Sequence, residues 1–110
     1  MRNRLDNKIE IWSNDVKFEN EVGESDYRQG LIKSIWSEIV PQTGSLQKQQ
    51  ANTILSNVTH KIKVRYASGK DITQDMWFIY KGHRFDINYI LNPYFSNEFL
   101  EIFCEEIIGG

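Results

Sequence analysis

The chain has 110 residues, 40% of them hydrophobic and 13% aromatic, which suits one small domain with a core of its own. Its formal net charge is −2, from 13 Lys and Arg against 15 Asp and Glu, and this balance argues against a protein that holds duplex DNA by neutralising phosphates. No apolar run approaches the roughly 20 residues of a membrane-spanning helix, and the N-terminus lacks a signal-peptide pattern, so we expect no membrane partner. With a single cysteine, Cys104, no internal disulfide forms, which indicates synthesis in a reducing cytoplasm.

The first part of the chain predicts two strands joined by a polar connection. Ile9 and Ile11 alternate with Lys8 and Glu10, the period of two that is typical of a half-buried strand. Residues 14–27 are polar and acidic and predict a hairpin loop or arm. Residues 30–41 carry apolar side chains on both parities, which predicts a strand that is either central in the sheet or buried on both faces and that ends at its proline.

A polar segment, residues 44–57, follows the second strand and contains one charged residue, Lys48. It holds too few apolar side chains to anchor it against a core. A short helix is possible from Ser45 to Leu55, with Thr43 or Ser45 as the N-cap. The pattern also fits an ordinary surface excursion, and both interpretations remain open here.

The second part of the chain predicts an antiparallel meander. Alternation over residues 60–66 places two sets of side chains on opposite faces of a strand: His60, Ile62, Val64 and Tyr66 on one, and Lys61, Lys63 and Arg65 on the other. A turn at residues 67–70 and a short apolar strand at residues 76–80 follow. The pair Lys81-Gly82 predicts a tight hairpin whose glycine adopts a positive φ.

The strand after the hairpin completes the predicted meander, and one further strand follows it. The strand after the hairpin is expected to carry one set of side chains on a single face, namely His83, Phe85, Ile87, Tyr89 and Leu91. Asn92-Pro93 predicts a turn before a last strand at residues 99–107. We therefore predict a single all-β domain over residues 1–110: a small antiparallel β-barrel of about six strands, with one long loop or short helix between strands 2 and 3.

Few residues in the sequence are candidates for catalysis or metal binding. His60 and His83 have no cysteine or carboxylate at metal-ligand spacing, so we expect structural or surface histidines and no metal. Cys104 is expected to be a buried apolar residue. No phosphate loop, nucleophile elbow or paired-carboxylate motif is present, and we predict a protein that is not an enzyme and has no cofactor.

The exposed candidates are contact residues. The basic face Lys61, Lys63 and Arg65 could contact an acidic partner or DNA, and it could equally be an ordinary solvated strand face. Trp12, Trp36 and Trp77 are expected in the core or at a subunit interface, because a buried indole contributes a large apolar area.

Taken in order, these segments resemble the head-tail joining proteins of long-tailed bacteriophages, also called head-closure or stopper proteins. The resemblance covers nearly the whole chain, and no single segment of it is specific. It rests on the following segments: Leu5 with Ile9 and Ile11; residues 35–41 (IWSEIVP); the polar residues 44–57; residues 59–66 (THKIKVRY); residues 80–87 (YKGHRFDI); and a closing strand around residues 100–104. In one respect the sequence departs from the pattern: residues 14–27 are longer and more acidic than expected.

The resemblance implies a structural role at the neck of a virion. It implies a homo-oligomeric ring of about a dozen copies, built through heterologous contacts. Portal or adaptor proteins would lie above the ring and a tail completion protein below it, with genomic double-stranded DNA passing through without sequence specificity. Assembly would take place in the host cytoplasm. Residues 14–27, 1–7 and 107–110 would be free to make contacts.

The resemblance also assigns a role to the polar segment. In the stopper proteins the corresponding loop extends into the channel of the ring and closes it behind the packaged DNA. The implied channel-closing residues are Gly44, Ser45, Leu46, Gln47, Lys48, Gln49, Gln50, Ala51, Asn52 and Thr53.

Two alternatives remain open from the sequence. One is a tail-terminator or tail-completion protein of the same virion, since small β-rich neck proteins share this composition. The other is a monomeric OB-like barrel that binds single strands, with the basic face near Tyr66, Tyr80 and Tyr89.

Overall fold

In the computed structural model, the described residues are 5–19, 23, 25–42 and 57–108. They form six strands: β1 (Asn7–Glu19), β2 (Ser25–Pro41), β3 (His60–Arg65), β4 (Trp77–Tyr80), β5 (His83–Leu91) and β6 (Phe99–Ile107). A single helical turn, α1 (Tyr66–Gly69), follows β3, and a 3₁₀ turn at Pro93–Phe95 precedes β6. The strands pair in the closed order β1-β2-β3-β6-β5-β4, and every pairing is antiparallel. The predicted all-β barrel of six strands is confirmed. The predicted meander is wrong at its first step, because β3 pairs with β2 and β6 and β4 pairs with β1 and β5.

The two ends of the barrel carry different connections, because every strand runs opposite to the one before it in the chain. Connections β1–β2, β3–β4 and β5–β6 all lie at one end, which we call the arm end. Connections β2–β3 and β4–β5 lie at the other end, the loop end, where β1 starts and β6 finishes. The chain therefore presents distinct segments along the two directions of the barrel axis.

The inside of the barrel is filled by side chains of one parity from each strand. Ile62 and Val64 of β3 are fully buried, as predicted, and stand opposite Ile102 and Leu100 of β6. The core cluster consists of Ile9, Ile11, Ile35, Ile62, Val64, Ile72, Phe78, Phe85, Ile87, Leu100, Ile102 and Cys104. Segment 66–76 packs against this core at the arm end. A Cβ placed on Gly69 would lie 2.7 Å from Val64 Cγ2, so only glycine fits without movement.

The predicted boundaries of the first two strands are wrong. β1 continues to Glu19 and β2 begins at Ser25, where residues 14–27 were expected to be a loop or arm. Pairing continues from Val16↔Arg28 to Glu19↔Ser25, after a register shift between Ser13 and Val16. The segment is thus a two-stranded arm. Apolar alternation in this segment is limited to Val16 and Phe18, because a ribbon outside the barrel has no core to face.

Burial of β2 on both faces is also wrong. Ile35 and Ser37 point inward, whereas Trp36 is 54% exposed and Leu31 is exposed as well. Apolar residues at both odd and even positions of this strand had suggested that another layer of the protein covers its outer face. Among the described residues, no element covers the outer face of β2.

The hairpin and the strand after it correspond to the prediction only in part. Lys81 and Gly82 have φ of 50° and 82°, which fits the predicted tight hairpin. In β5 the register shifts between Ile87 and Tyr89, so the side-chain parity changes. Tyr89 is 36% exposed and Ile90 packs against the core, contrary to the single face expected for this strand.

Candidate interaction surfaces

All three tryptophans lie on the outer face of the barrel, and none belongs to the core cluster. Trp12 of β1 stands opposite Trp77 of β4 on one side and Leu31 of β2 on the other. A cavity of about 320 Å³ opens here, and we call it the tryptophan groove; it is lined by Trp12, Gln29, Trp77, Ile79 and Arg84. The tryptophans, which were expected in the core or at a subunit interface, therefore lie on the outer face of the barrel.

Polar groups hold the walls of the tryptophan groove in place. The Arg84 guanidinium carbon lies 4.4 Å from the centre of the Trp77 ring and covers it, so Trp77 is only 4% exposed. Arg84 Nε also donates to Asp86 Oδ1 at 2.8 Å. Trp12 Nε1 donates to Glu10 Oε1 at 3.0 Å, which satisfies the indole and fixes its ring.

Residues 92–98, between β5 and β6, present the most exposed aromatic side chains of the described chain, and we call them the aromatic turn. Tyr94 is 96% exposed and Phe95 is 87% exposed. Tyr94, Phe95 and Asn97 have φ of 57°, 51° and 60°, a region that non-glycine residues rarely adopt. The sequence predicted a turn at Asn92-Pro93 but not its exposed aromatics. Two adjacent aromatic residues inside a turn were the available signal.

Hydrogen bonds within the aromatic turn stabilise this backbone. Asn92 Nδ2 donates to Asn97 Oδ1 at 2.8 Å, and the Asn97 backbone N–H donates to Asn92 Oδ1 at 3.2 Å. The Phe95 and Ser96 backbone N–H groups donate to the carbonyls of Asn92 and Pro93. The turn therefore holds its two aromatic rings outward on a fixed frame.

The predicted basic face is present on the outside of β3, but side chains of β6 occupy its cations. Lys61 Nζ lies 3.7 Å from Glu101 Oε2. Lys63 Nζ lies 4.5 Å from the centre of the Phe99 ring, and the Arg65 guanidinium carbon lies 5.8 Å from it. The three side chains are thus brought together as expected, without forming an open cationic stripe.

The surroundings of the tyrosines do not favour a single-strand-binding groove. Tyr66 and Tyr80 pack against the core, and the Tyr80 hydroxyl accepts a hydrogen bond from Asn7 Nδ2 at 2.9 Å. Tyr89 stacks at an angle on Phe103, with ring centres 6.2 Å apart. Tyr66 and Tyr80 are therefore not placed as stacking platforms, whereas Phe99 and Phe103 of β6 stand opposite Arg65 and Lys61 of the basic face.

The ten implied channel-closing residues, 44–53, lie outside the described residues. Their flanks are described and lie at the loop end. The Gln42 backbone N–H donates to the Thr59 carbonyl at 2.8 Å, and the Thr59 N–H donates to the Cys104 carbonyl at 2.9 Å. Both ends of the intervening segment are therefore fixed side by side on the barrel.

Two histidines lie near Thr59 at the loop end. Thr59 Oγ1 accepts a hydrogen bond from the Glu106 backbone N–H at 2.7 Å and lies 2.9 Å from His60 Nδ1. His83 Nδ1 lies 2.8 Å from Glu106 Oε2. Burial lowers the pKa of His60 below its usual value, with Glu106 opposing this effect and His83 adding to it.

Cys104 is fully buried, as predicted, and burial raises the pKa of its thiol far above the usual range. Within the described ranges, no group of three or more His, Cys, Asp or Glu side chains is placed to hold a metal ion. None of the helices in the same ranges is long and apolar enough to cross a membrane.

A closed six-stranded barrel with exposed aromatic surfaces defines a small structural module. The sequence matches the phage head completion protein family over residues 1–107, and the chain belongs to this family. It is a structural component of a phage virion. No curated protein matched the sequence.

Two solved structures share the fold. The solution structure of protein SF1141 from Shigella flexneri 2a has a TM-score of 0.72 at 19% identity, over 98% of this chain and 97% of that one. A chain from the virion of a native gene transfer agent particle has a TM-score of 0.61 at 17% identity, over 98% of this chain and all of that one. At these identities, the likeness shows the fold alone.

Proposed function

We propose that the protein forms a ring below the portal, closes the DNA channel after packaging and provides the docking platform for the tail. The observation that supports this role best is the asymmetry of the barrel. The arm and the aromatic turn project from one end, and the flanks of segment 43–56 lie at the other. A subunit that separates its connections in this way can face a channel with one end and neighbouring proteins with the other.

In this proposal the role is structural, without catalysis, metal or cofactor. The partners are further copies of the chain in a ring of about a dozen, portal or adaptor proteins above it, and a tail completion protein below it. Assembly takes place in the host cytoplasm, and the ring then stays at the head-tail interface of the virion.

The charge distribution supports passage of DNA, as opposed to tight binding. The net charge is −2, and the side chains of Lys61, Lys63 and Arg65 contact Glu101 or Phe99 of β6. A surface of this kind neutralises few phosphates, so double-stranded DNA can move through the ring without sequence specificity.

Residues 44–53 are proposed to close the channel. They carry one charged residue, Lys48, and several amide side chains that can hydrogen-bond to the same residues of adjacent copies. Their anchoring through Gln42 and Thr59 gives the segment a firm base at the loop end.

Deletion of Gln47–Thr53 tests this proposal. The deletion removes no residue that the sequence predicts to be in the core, and loop length changes closure entropy only slowly. Heads should still package DNA and incorporate the shortened protein, and then lose the DNA. DNA retained in purified heads is the measurement, with the amount of incorporated protein determined on the same sample.

A charge variant and its matched control sharpen the test. Gln49→Glu with Gln50→Glu should reduce retention in the same direction, because neighbouring copies then repel each other. Gln49→Asn with Gln50→Asn keeps the amides and should retain DNA as wild type does. Equal retention by wild-type and shortened protein, both confirmed in the particle, would remove the segment from the mechanism.

A further inference from the structure

The aromatic turn and the tryptophan groove lie on opposite sides of the barrel. The turn joins β5 to β6 and folds over the outer face of β3 and β6, where Lys63, Phe99 and Glu101 border a cavity beneath it. The groove is centred on the paired strands β1 and β4. In the closed order β1-β2-β3-β6-β5-β4, the pair β3/β6 is three strands away from the pair β4/β1, which is half of the circumference.

The aromatic turn has the properties of a preorganised contact. Tyr94 and Phe95 do not belong to the core cluster, and their side chains are almost fully exposed. The Asn92–Asn97 hydrogen bonds hold a backbone with three positive φ values. A conformation that is fixed in advance loses little entropy when it docks, and exposed aromatic rings gain most from burial at an interface.

The tryptophan groove fits such rings in size and chemistry. An apolar cavity of roughly 150 Å³ accepts benzene, and the groove measures about 320 Å³. The Trp12 indole, Ile79 and the stem of Arg84 offer apolar walls to a second aromatic ring, and Trp77 lies beneath the Arg84 guanidinium.

One oppositely charged pair of side chains is available to the two surfaces. Glu98 is exposed within the aromatic turn, and Arg84 borders the groove. Arg84 uses Nε for Asp86, and a guanidinium carries four further N–H donors. A carboxylate of a neighbouring chain could therefore be accommodated without breaking the bond to Asp86.

We infer that the aromatic turn of one copy docks into the tryptophan groove of the next copy. A two-fold contact would place the same patch on both subunits. Two complementary patches on opposite sides of the barrel instead generate a head-to-tail contact, which closes into a ring when the rotation allows. This inference rests on the ring of the proposed function and names the two surfaces that build it.

Cysteine cross-linking in purified particles tests this contact. The variant Ser96→Cys/Gln29→Cys places one thiol in the turn and one at the groove and leaves Tyr94 and Phe95 in place. Native Cys104 is buried and contributes little background. A short bis-maleimide should link the double variant into a ladder of dimers, trimers and larger species, whereas either single variant, with no partner thiol at the contact, should stay monomeric.

Two control variants separate this contact from chance proximity. Ser96→Cys/Ala67→Cys carries its second thiol on exposed Ala67 of α1, also at the arm end, and should give no ladder. Adding Tyr94→Ser and Phe95→Ser to the first double variant should lower the ladder yield about tenfold or more, as expected for loss of two aromatic anchors. Circular-dichroism melts of each variant check that folding is unchanged.

The outcomes distinguish this inference from the proposed function. Particles that contain the chain but give no ladder would overturn the head-to-tail contact, and so would an equal ladder from the Ala67 control. Equally efficient dimers from Ser96→Cys alone would indicate a two-fold contact and overturn it as well. Absence of wild-type chain from the particles would refute the proposed function itself.

Discussion

The inner face of the barrel is lined by aliphatic side chains and two phenylalanines, whereas Trp12, Trp36 and Trp77 lie on its outer face. A fold of this size forms its core with no tryptophan inside it. Trp12 and Trp36 lie where they can meet other molecules, whereas the Arg84 guanidinium covers Trp77. The stability of the chain and its assembly with other molecules therefore depend on different residues. Substitutions should affect one of these properties without the other.

Substitution of a core phenylalanine should have the largest effect on stability. Phe78 is fully buried, and Phe78→Ala should lower the free energy of unfolding by about 3–5 kcal/mol, because it leaves a cavity. Trp36→Ala, on the outer face, should cost less than about 1 kcal/mol, most of it from the contact with Lys8. Urea denaturation of both variants measures the difference, and comparable losses would show that the outer tryptophans support the fold.

Alanine substitutions at two glycines should lower the free energy of unfolding by a smaller amount, and for two different reasons. Gly69→Ala should cost about 1–3 kcal/mol because the new Cβ lies 2.7 Å from Val64 Cγ2. Gly82→Ala meets no neighbouring atom, but its φ of 82° should cost about 1 kcal/mol.

A double-mutant cycle distinguishes these two causes. Val64→Ala removes the atom that the alanine at position 69 would meet, so it should relieve part of the loss from Gly69→Ala. It should leave the loss from Gly82→Ala unchanged, because that loss comes from the backbone. Additive losses at both positions would contradict close packing of α1 against the barrel.

Sequence patterns predicted the barrel where one face of a strand meets the core. The alternation of Ile9 with Ile11, and of Ile62 with Val64, assigned the buried faces of β1 and β3 correctly. An arm was one of the two predictions for residues 14–27, but its strands were missed because apolar alternation there is limited to Val16 and Phe18. The parity of Tyr89 was missed because a one-residue register shift leaves no compositional signal.

The candidate surfaces were predicted less completely. The three residues of the basic face were identified, but their contacts depend on Phe99 and Glu101, more than 30 positions away in the chain. The tryptophan groove likewise requires the pairing of Trp12 with Trp77, which only the closed barrel brings together. Local periodicity carries no information on such long-range neighbours.

The basic face should contribute little to stability, which sharpens the contrast with the core. Lys63→Gln should lower the free energy of unfolding by less than about 1 kcal/mol, because one cation–aromatic contact with Phe99 is lost at the surface. Lys63→Arg keeps a cation near the ring and should stay closer to wild type. Denaturation midpoints of the two variants measure this, and a loss matching Phe78→Ala would show that the outer face of β3 is buried on folding.

The smallest expected effect concerns pH at the loop end. Burial lowers the pKa of His60 in the folded state, so the unfolded chain binds the proton more readily. The stabilising contribution of neutral His60 is therefore complete above the unfolded pKa of about 6.5 and decreases as the pH falls below it.

His60→Gln should reduce the loss of stability between about pH 7.5 and pH 5.5, since this range spans the titration of a free histidine. His83→Gln, which removes the exposed partner of Glu106, should preserve most of that loss. Urea midpoints at the two pH values measure both slopes; if the His60→Gln variant keeps the wild-type pH dependence, another group must titrate on unfolding.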